Sequence, residues 1–304
     1  MSSRTVATLL LIYGLVFPNT AVAVMSSTNY QIQWDSIGAG GSDTGSSATY
    51  QLRDSIGNLS IGTSSSSSYD LRAGYRQGVN DQLIAFTLLM QDNETQVAAT
   101  SLSSTTVNVS STSGYSAGDY VVIVENLGLN QVSAVGKVSS LTATAFVLDS
   151  LSTNGTTPTI NGSGDFVYRL TTSATPTFGS ISESVVSTTV LAWEITSVSQ
   201  NGHTIYVYDS GNLSTPSGDI DDVSDGAVTA GSEEAGARSS DTTLAGSAFD
   251  TADTAITTSA QAIGTESSDV YGTRQFLTTK MSISSTTSGG TYTNTTSVIA
   301  TGNF

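Results

Sequence analysis

The side chains able to do chemistry are few, and their scarcity bounds what the protein can do. Cysteine is absent, and His203 is the single histidine in 304 residues. Thiolate catalysis is therefore excluded, and a Ser/His/Asp triad would have to use His203. That histidine directly follows Asn201-Gly202, a tight-turn dipeptide, where a side chain is expected to face solvent. No Gly-x-Ser-x-Gly elbow precedes a helical pattern, and neither a P-loop nor a dinucleotide fingerprint is present. Zinc centres want several His or Cys ligands, which this chain lacks.

Carboxylates are the remaining resource. The run Asp219-Ile-Asp221-Asp222-Val-Ser-Asp225-Gly226 offers four of them and a turn glycine, with Glu233-Glu234 following. Calcium takes six to eight hard oxygen ligands, often from such loops, so Asp219, Asp221, Asp222 and Asp225 form a candidate calcium site. The helix-loop-helix version of that site does not fit, because Val223 occupies a ligand position and Ser232 stands where the final Glu belongs. Glu183 and Glu194 are the pair to test for glycoside hydrolysis, but no aromatic cluster accompanies them, and two exposed strand-end carboxylates are expected. Without disulfides, an amide between a lysine and an Asn or Asp, buried beside a carboxylic acid, is another way to brace the fold. Lys137 and Lys280 are the only lysines, and Lys280 sits mid-strand between Leu277 and Met281. The commoner role of such a lysine is to guard an exposed strand edge. Asn-x-Ser/Thr sequons fall at Asn58, Asn93, Asn108, Asn154, Asn161, Asn212 and Asn294, and mark glycosylation only in a host with the machinery.

Composition narrows the partners. The net charge is −16, with 25 acidic against 9 basic residues. A chain this acidic repels nucleic acid and anionic membrane surfaces, and suits divalent cations, glycans or other copies of itself. Residues 1–23 read as a signal peptide: Arg4, an apolar run from Val6 to Phe17, then Ala21-Val22-Ala23 as a cleavage site. The run is too short to span a bilayer. The mature chain is expected to start at Val24, outside the cytoplasm, with no membrane span.

The elements that would carry these residues are strands throughout. Residues 24–81 hold a repeat, Tyr30-Gln-Ile32-Gln-Trp34-Asp-Ser-Ile-Gly38, Tyr50-Gln-Leu52-Arg-Asp-Ser-Ile-Gly57 and a degraded Tyr69-Asp-Leu71-Arg-Ala-Gly-Tyr75. Its Tyr-x-Ile/Leu alternation marks a short strand, and Gly/Ser-rich linkers separate the copies. Residues 82–172 contain short β-branched runs split by turns, the pattern of a small β-barrel or sandwich. Residues 173–304 form a C-terminal β-sandwich in which Leu191, Trp193 and Ile195 lead through Asn201-Gly202 to Ile205 and Val207. That pattern predicts a hairpin. The acidic loop 219–269 follows, and Phe276–Ile283 and Thr291–Ile299 read as closing strands joined at Ser288-Gly-Gly290. The fold class is all-β.

Three stretches resemble secreted β-rich surface proteins of small-genome bacterial candidate phyla, a group without a settled activity. These are the Tyr-x-Leu-Arg-Asp-Ser-Ile-Gly leader, Val223–Glu234 with Gly236–Asp241, and Gly290–Phe304. The resemblance implies surface exposure and β architecture and transfers no functional residue. The expected function is a secreted structural or adhesive surface protein, a subunit of a filament or coat that assembles by strand addition. The alternative is a glycan-binding module or hydrolase, with Trp193 or Tyr206 and Tyr208 exposed beside carboxylates.

Overall fold

The computed structural model describes six strand segments between residues 25 and 73, then residues 85–199 and 201–303. The chain divides into two units, Met1–Asp81 and Gln82–Phe304. Every element among the described residues is a strand, turn or loop; none is a helix, so none is long and apolar enough to cross a membrane.

The first unit pairs its strands two by two. β1 (Met25–Ser26) joins β2 (Gln31–Ile32), β3 (Gly40–Ser46) joins β4 (Gln51–Ile56), and β5 (Gly62–Ser65) joins β6 (Asp70–Ala73). The described residues of each copy of the repeat form the second strand of a ribbon. The stretches read as linkers, Gly40–Ser46 and Gly62–Ser65, are the first strands of two ribbons, which corrects that expectation. A ladder is made by backbone N–H and C=O groups, which Gly and Ser supply as well as any residue. The Asp54-Ser55-Ile56 end of the second copy lies within β4. The signal segment and the aromatic residues Tyr30, Trp34, Tyr50 and Tyr69 lie outside the described residues.

The second unit begins with a sheet closed on itself. Its strands are β7 (Ala85–Ser103), β8 (Thr106–Val109), β9 (Tyr120–Glu125), β10 (Val132–Thr142), β11 (Ala145–Leu148), β12 (Ser152–Thr153) and β13 (Phe166–Thr171). Antiparallel pairing runs β7–β8–β11–β10–β9–β13 and returns from β13 to β7; the short β12 attaches to β10. Closure removes the free edges of this small barrel. Val107, Val109, Tyr115, Val121, Ile123, Phe146, Leu148 and Val167 fill its interior.

The long β7 then leaves the barrel and enters a sandwich. Its first residues pair with β14 (Ser187–Ser197), while β15 (His203–Asp209), the two-residue β16 (Ser214–Thr215) and β17 (Gly218–Asp219), β18 (Glu234–Ser239), β19 (Gln261–Glu266), β20 (Val270–Ser282) and β21 (Thr296–Gly302) follow. One sheet continues β7–β14–β20–β18, and the other runs β19–β15–β21. Leu191, Trp193, Ile195 and Leu277 from the first meet Ile205, Val207 and Ile263 from the second, with Phe249 closing the layer.

The alternate residues of β14 do not face water. Val190 and Ala192, with Leu89 and Phe276, pack on Val122, Val124, Val135, Tyr168 and Leu170 outside the barrel. Burial on both faces explains why β9 and β14 read as nearly unbroken apolar runs.

Two connections differ from the sequence expectation. β14 and β15 pair with different neighbours, so Asn201-Gly202 turns an arch between sheets and not a hairpin. The same holds for β20 and β21, which lie in opposite sheets. Trp193 and Ile205 do share a core, as the alternation implies, but they face each other across the sandwich.

Candidate functional site

Charged side chains gather where the barrel meets the sandwich. Arg274 is carried by β20 with a side chain only 6% exposed. Its Nε donates to Glu194 Oε2 at 2.8 Å, and its two terminal nitrogens donate to Asp149 at 2.8 and 2.6 Å. Register accounts for the first contact, because Glu194 of β14 pairs directly with Arg274. Tyr120 at the start of β9 donates to Glu194 Oε1 at 2.7 Å and accepts from Lys137 Nζ at 3.2 Å. The Arg274 guanidinium also lies 5.5 Å from the Tyr120 ring centre, within cation–π range.

Protonation follows from these contacts. Burial pushes the Tyr120 hydroxyl up, helped by its bond to Glu194. Burial works against the charge of Asp149, but hydrogen bonds from Arg274 and from the Lys137 backbone prevail and hold its carboxyl below the usual range. Arg274 is likewise penalised by burial, yet its bonds to Asp149 and Glu194 raise its pKa. Arg274 is paired with both Glu194 and Asp149, and Lys137 with the Tyr120 hydroxyl, which fits a clamp between the barrel and the β14–β20 sheet.

An open polar recess of ≈ 360 Å³ lies beside this cluster, lined by Asp92, Asp119, Tyr120, Arg169, Thr171 and Ser173 among others. Its charges are engaged with each other or with backbone. Arg169 pairs with Asp92 at 3.7 Å, and Asp119 accepts from the Ser116 N–H at 2.8 Å.

The residues singled out from sequence are scattered. Asp219, Asp221, Asp222 and Asp225 are all exposed, and no three Asp, Glu or His side chains among the described residues converge as a metal site. Asp225 accepts from the Ala227 N–H at 3.0 Å, while the backbone of Asp221 and Asp222 runs beside Ala235. The turn is anchored by Ile220, Val223 and Val228, which are buried.

Glu183 stands exposed on a turn, whereas Glu194 is mid-strand and held by Arg274 and Tyr120. Glu194 is thus not the exposed strand-end carboxylate that was expected. Trp193 is fully buried in the sandwich core, so it lines no groove; Tyr206 and Tyr208 are half-buried on the outer face of β15.

His203 corrects a further expectation. It is fully buried, and neither ring nitrogen has a hydrogen-bond partner among the described residues. It shares the buried face of β15 with Ile205 and Val207, since side chains two residues apart lie on one face of a strand. Burial holds its pKa below the ordinary value, so the ring is neutral at pH 7.

Lys280 does not guard an edge. β20 is an inner strand between β14 and β18, and the Lys280 side chain is only 11% exposed.

Among the described residues, β21 forms an open edge of the sandwich. Asn303 N–H donates to Gly202 O, and Ser210 N–H donates to Thr295 O, both at 2.9 Å. This register turns the backbone groups of odd-numbered residues 295–303 toward β15. Those of Thr296, Val298, Ala300 and Gly302 point away, and no strand pairs with them among the described residues. The opposite edge, β19, is different. Its Ile263 carbonyl accepts from Ser239 Oγ, and its Thr265 N–H donates to Asp241 Oδ2 at 2.8 Å. β21 carries no charge or proline, the usual protections of an edge.

Comparison with protein-family models, curated proteins and solved structures finds no match to this chain. The functional reading rests on its own residues.

Proposed function

We propose that this is an exported structural protein of the cell surface, a subunit that assembles by adding a strand from a neighbouring copy to β21. The observation that carries this reading is the uncharged edge of Thr296–Gly302, unpaired among the described residues and in contrast with the capped edge of β19. Main-chain hydrogen bonds give affinity at such an edge without a special side-chain set. The N-terminal unit supplies the donor, since its repeated short ribbons offer strands. Joining the leader of one copy to β21 of the next is a head-to-tail contact, which propagates as an open filament unless its rotation closes a ring. The apolar N-terminal run and the cysteine-free, acidic composition support a place outside the cytoplasm.

Proline at position 300 tests the edge directly. The Ala300 N–H points away from β15, so Ala300→Pro removes no internal ladder bond but blocks the donor strand. The variant is expected to stay folded and monomeric while the parent chain forms filaments in negative-stain images. Filaments of unchanged abundance from the folded variant would remove β21 from the assembly. Deleting residues 24–78 is expected to abolish assembly and leave the second unit folded.

A second reading, a glycan-binding module, is favoured by one observation only. Tyr206 and Tyr208 sit two residues apart on the outer face of β15, partly open to solvent. A glycan-array signal lost in Tyr206→Ala, with assembly intact, would support it.

A further inference from the structure

The Lys280–Asp253 pair is the second buried cation of the sandwich, and its surroundings differ from those of Arg274. Lys280 Nζ lies 2.9 Å from Asp253 Oδ1 and 3.1 Å from Oδ2, with side chains 11% and 6% exposed. Both carboxylate oxygens are thus within reach of one nitrogen, which keeps it next to the carboxyl group. Oδ2 also accepts the Val228 N–H at 3.0 Å, whereas Oδ1 accepts no well-directed hydrogen bond despite its short approach. Gly236, the partner of Lys280 on β18, has Val223 and Val228 packed against it. Paired residues point to the same side of a sheet, so these valines cover the lysine stem from the same face.

We propose that Lys280 and Asp253 condense to an intramolecular amide that covalently ties β20 to the loop over β18. The step opens with a proton passing from the Lys280 ammonium to Asp253 Oδ1 across their 2.9 Å contact, which leaves an amine beside a carboxylic acid. The Nζ lone pair attacks the carboxyl carbon of Asp253, forming the C–N bond. The negative charge that develops on Oδ2 is met by the Val228 N–H, a backbone donor already in place. The nitrogen then passes a proton to the Oδ1 hydroxyl, and the C–Oδ1 bond breaks with loss of water. The ion pair and the amide-plus-water have the same atoms and the same net charge. No oxidant, metal or co-reactant is needed.

The bond is placed where it restrains most. Asp253 stands beside Thr254, which bridges Ala237 of β18, and β18 is the last strand of its sheet. An amide from there to inner strand β20 closes this end covalently in a chain that has no disulfide to do so.

The intact mass of the purified exported chain tests this, measured against the mass its own N-terminal residue dictates. The expected result is a deficit of one water. Proteolysis should then yield a branched fragment that joins the Lys280 and Asp253 peptides. Lys280→Arg and Asp253→Ala are each expected to return the full mass of their sequences. A parent chain at full mass overturns the proposal. So does a water deficit that persists in both variants, because a succinimide at Asp225-Gly226 would lose the same water without involving Lys280.

Discussion

Arg274 shows how one side chain can hold two layers together. Its partners reach it from three elements: Asp149 after β11, Glu194 on β14, and the ring of Tyr120 on β9. Replacing Arg274 by Met keeps most of the stem and removes the charge, leaving Glu194 and Asp149 facing each other's field. Breaking a wholly buried pair costs about 3–5 kcal/mol. Asp149 is 40% exposed and partly screened, so the expected loss is nearer about 2–3 kcal/mol, read as a lower urea midpoint. His203 makes a different prediction. The folded chain holds it neutral by burial, while the unfolded chain protonates it at its ordinary value of 6.5. Stability is therefore complete above that value and falls as pH drops below it, levelling once the folded pKa is passed. Asp149, whose carboxyl is held low, gives up its contribution only at more acid pH, below its ordinary value of 3.8. Asp209 and Glu266 are pushed up by burial and act in the opposite sense as they protonate. The His203 effect is isolated by comparison with His203→Phe between about pH 7 and pH 5, where unperturbed carboxylates stay ionised. The parent chain should lose stability across that window and the variant should not.

At the scale of elements, the turn at Asn201-Gly202 is the most instructive position. Gly202 has φ +71°, and a Cβ there would lie 1.7 Å from the Glu266 carbonyl of β19. Gly246 has a similar φ of +79° but nothing within 4 Å of a built Cβ. Gly246→Ala is expected to cost about 1 kcal/mol, the strain of a left-handed backbone alone. Gly202→Ala must also push β19 off β15, and an expected loss of about 3 kcal/mol or more should appear in thermal unfolding. That contrast also marks how far the sequence could be read. Asn-Gly announces a reversal, and the alternation of Leu191, Trp193 and Ile195 announces a buried face. Neither says whether the next strand pairs beside the first or crosses to another sheet, since that depends on partners about seventy to a hundred residues away in β20 and β21. Strand type was legible because its period is local. Barrel closure between β7 and β13 was not, because their register sets Phe166 against Ala98 with no local signal to announce it. Lys280 stood out as one of two lysines, but nothing near it in sequence pointed to Asp253. The acidic run drew attention by density, yet its carboxylates spread into solvent while the hydrophobic residues between them turned inward.

Taken whole, the molecule sets a strongly acidic surface against an edge with no charge. The net charge of −16 makes copies repel at long range, which opposes association at the β21 edge. The contact proposed for assembly is made of backbone groups and the neutral residues Thr296–Gly302, so it contains no attraction that salt could screen. Salt then acts on the repulsion only. Raising ionic strength from about 0.01 M to about 0.15 M shortens the screening length from about 30 Å to about 8 Å. Assembly should therefore set in at a lower protein concentration in the higher salt, and sodium chloride should suffice without calcium. Light scattering against protein concentration at the two salt levels measures this. Assembly that weakens with salt would mean that charged side chains make the contact, and the β21 edge would no longer explain it. The same measurement on Ala300→Pro should show no onset in either salt, because screening removes a barrier to association but cannot supply the missing N–H.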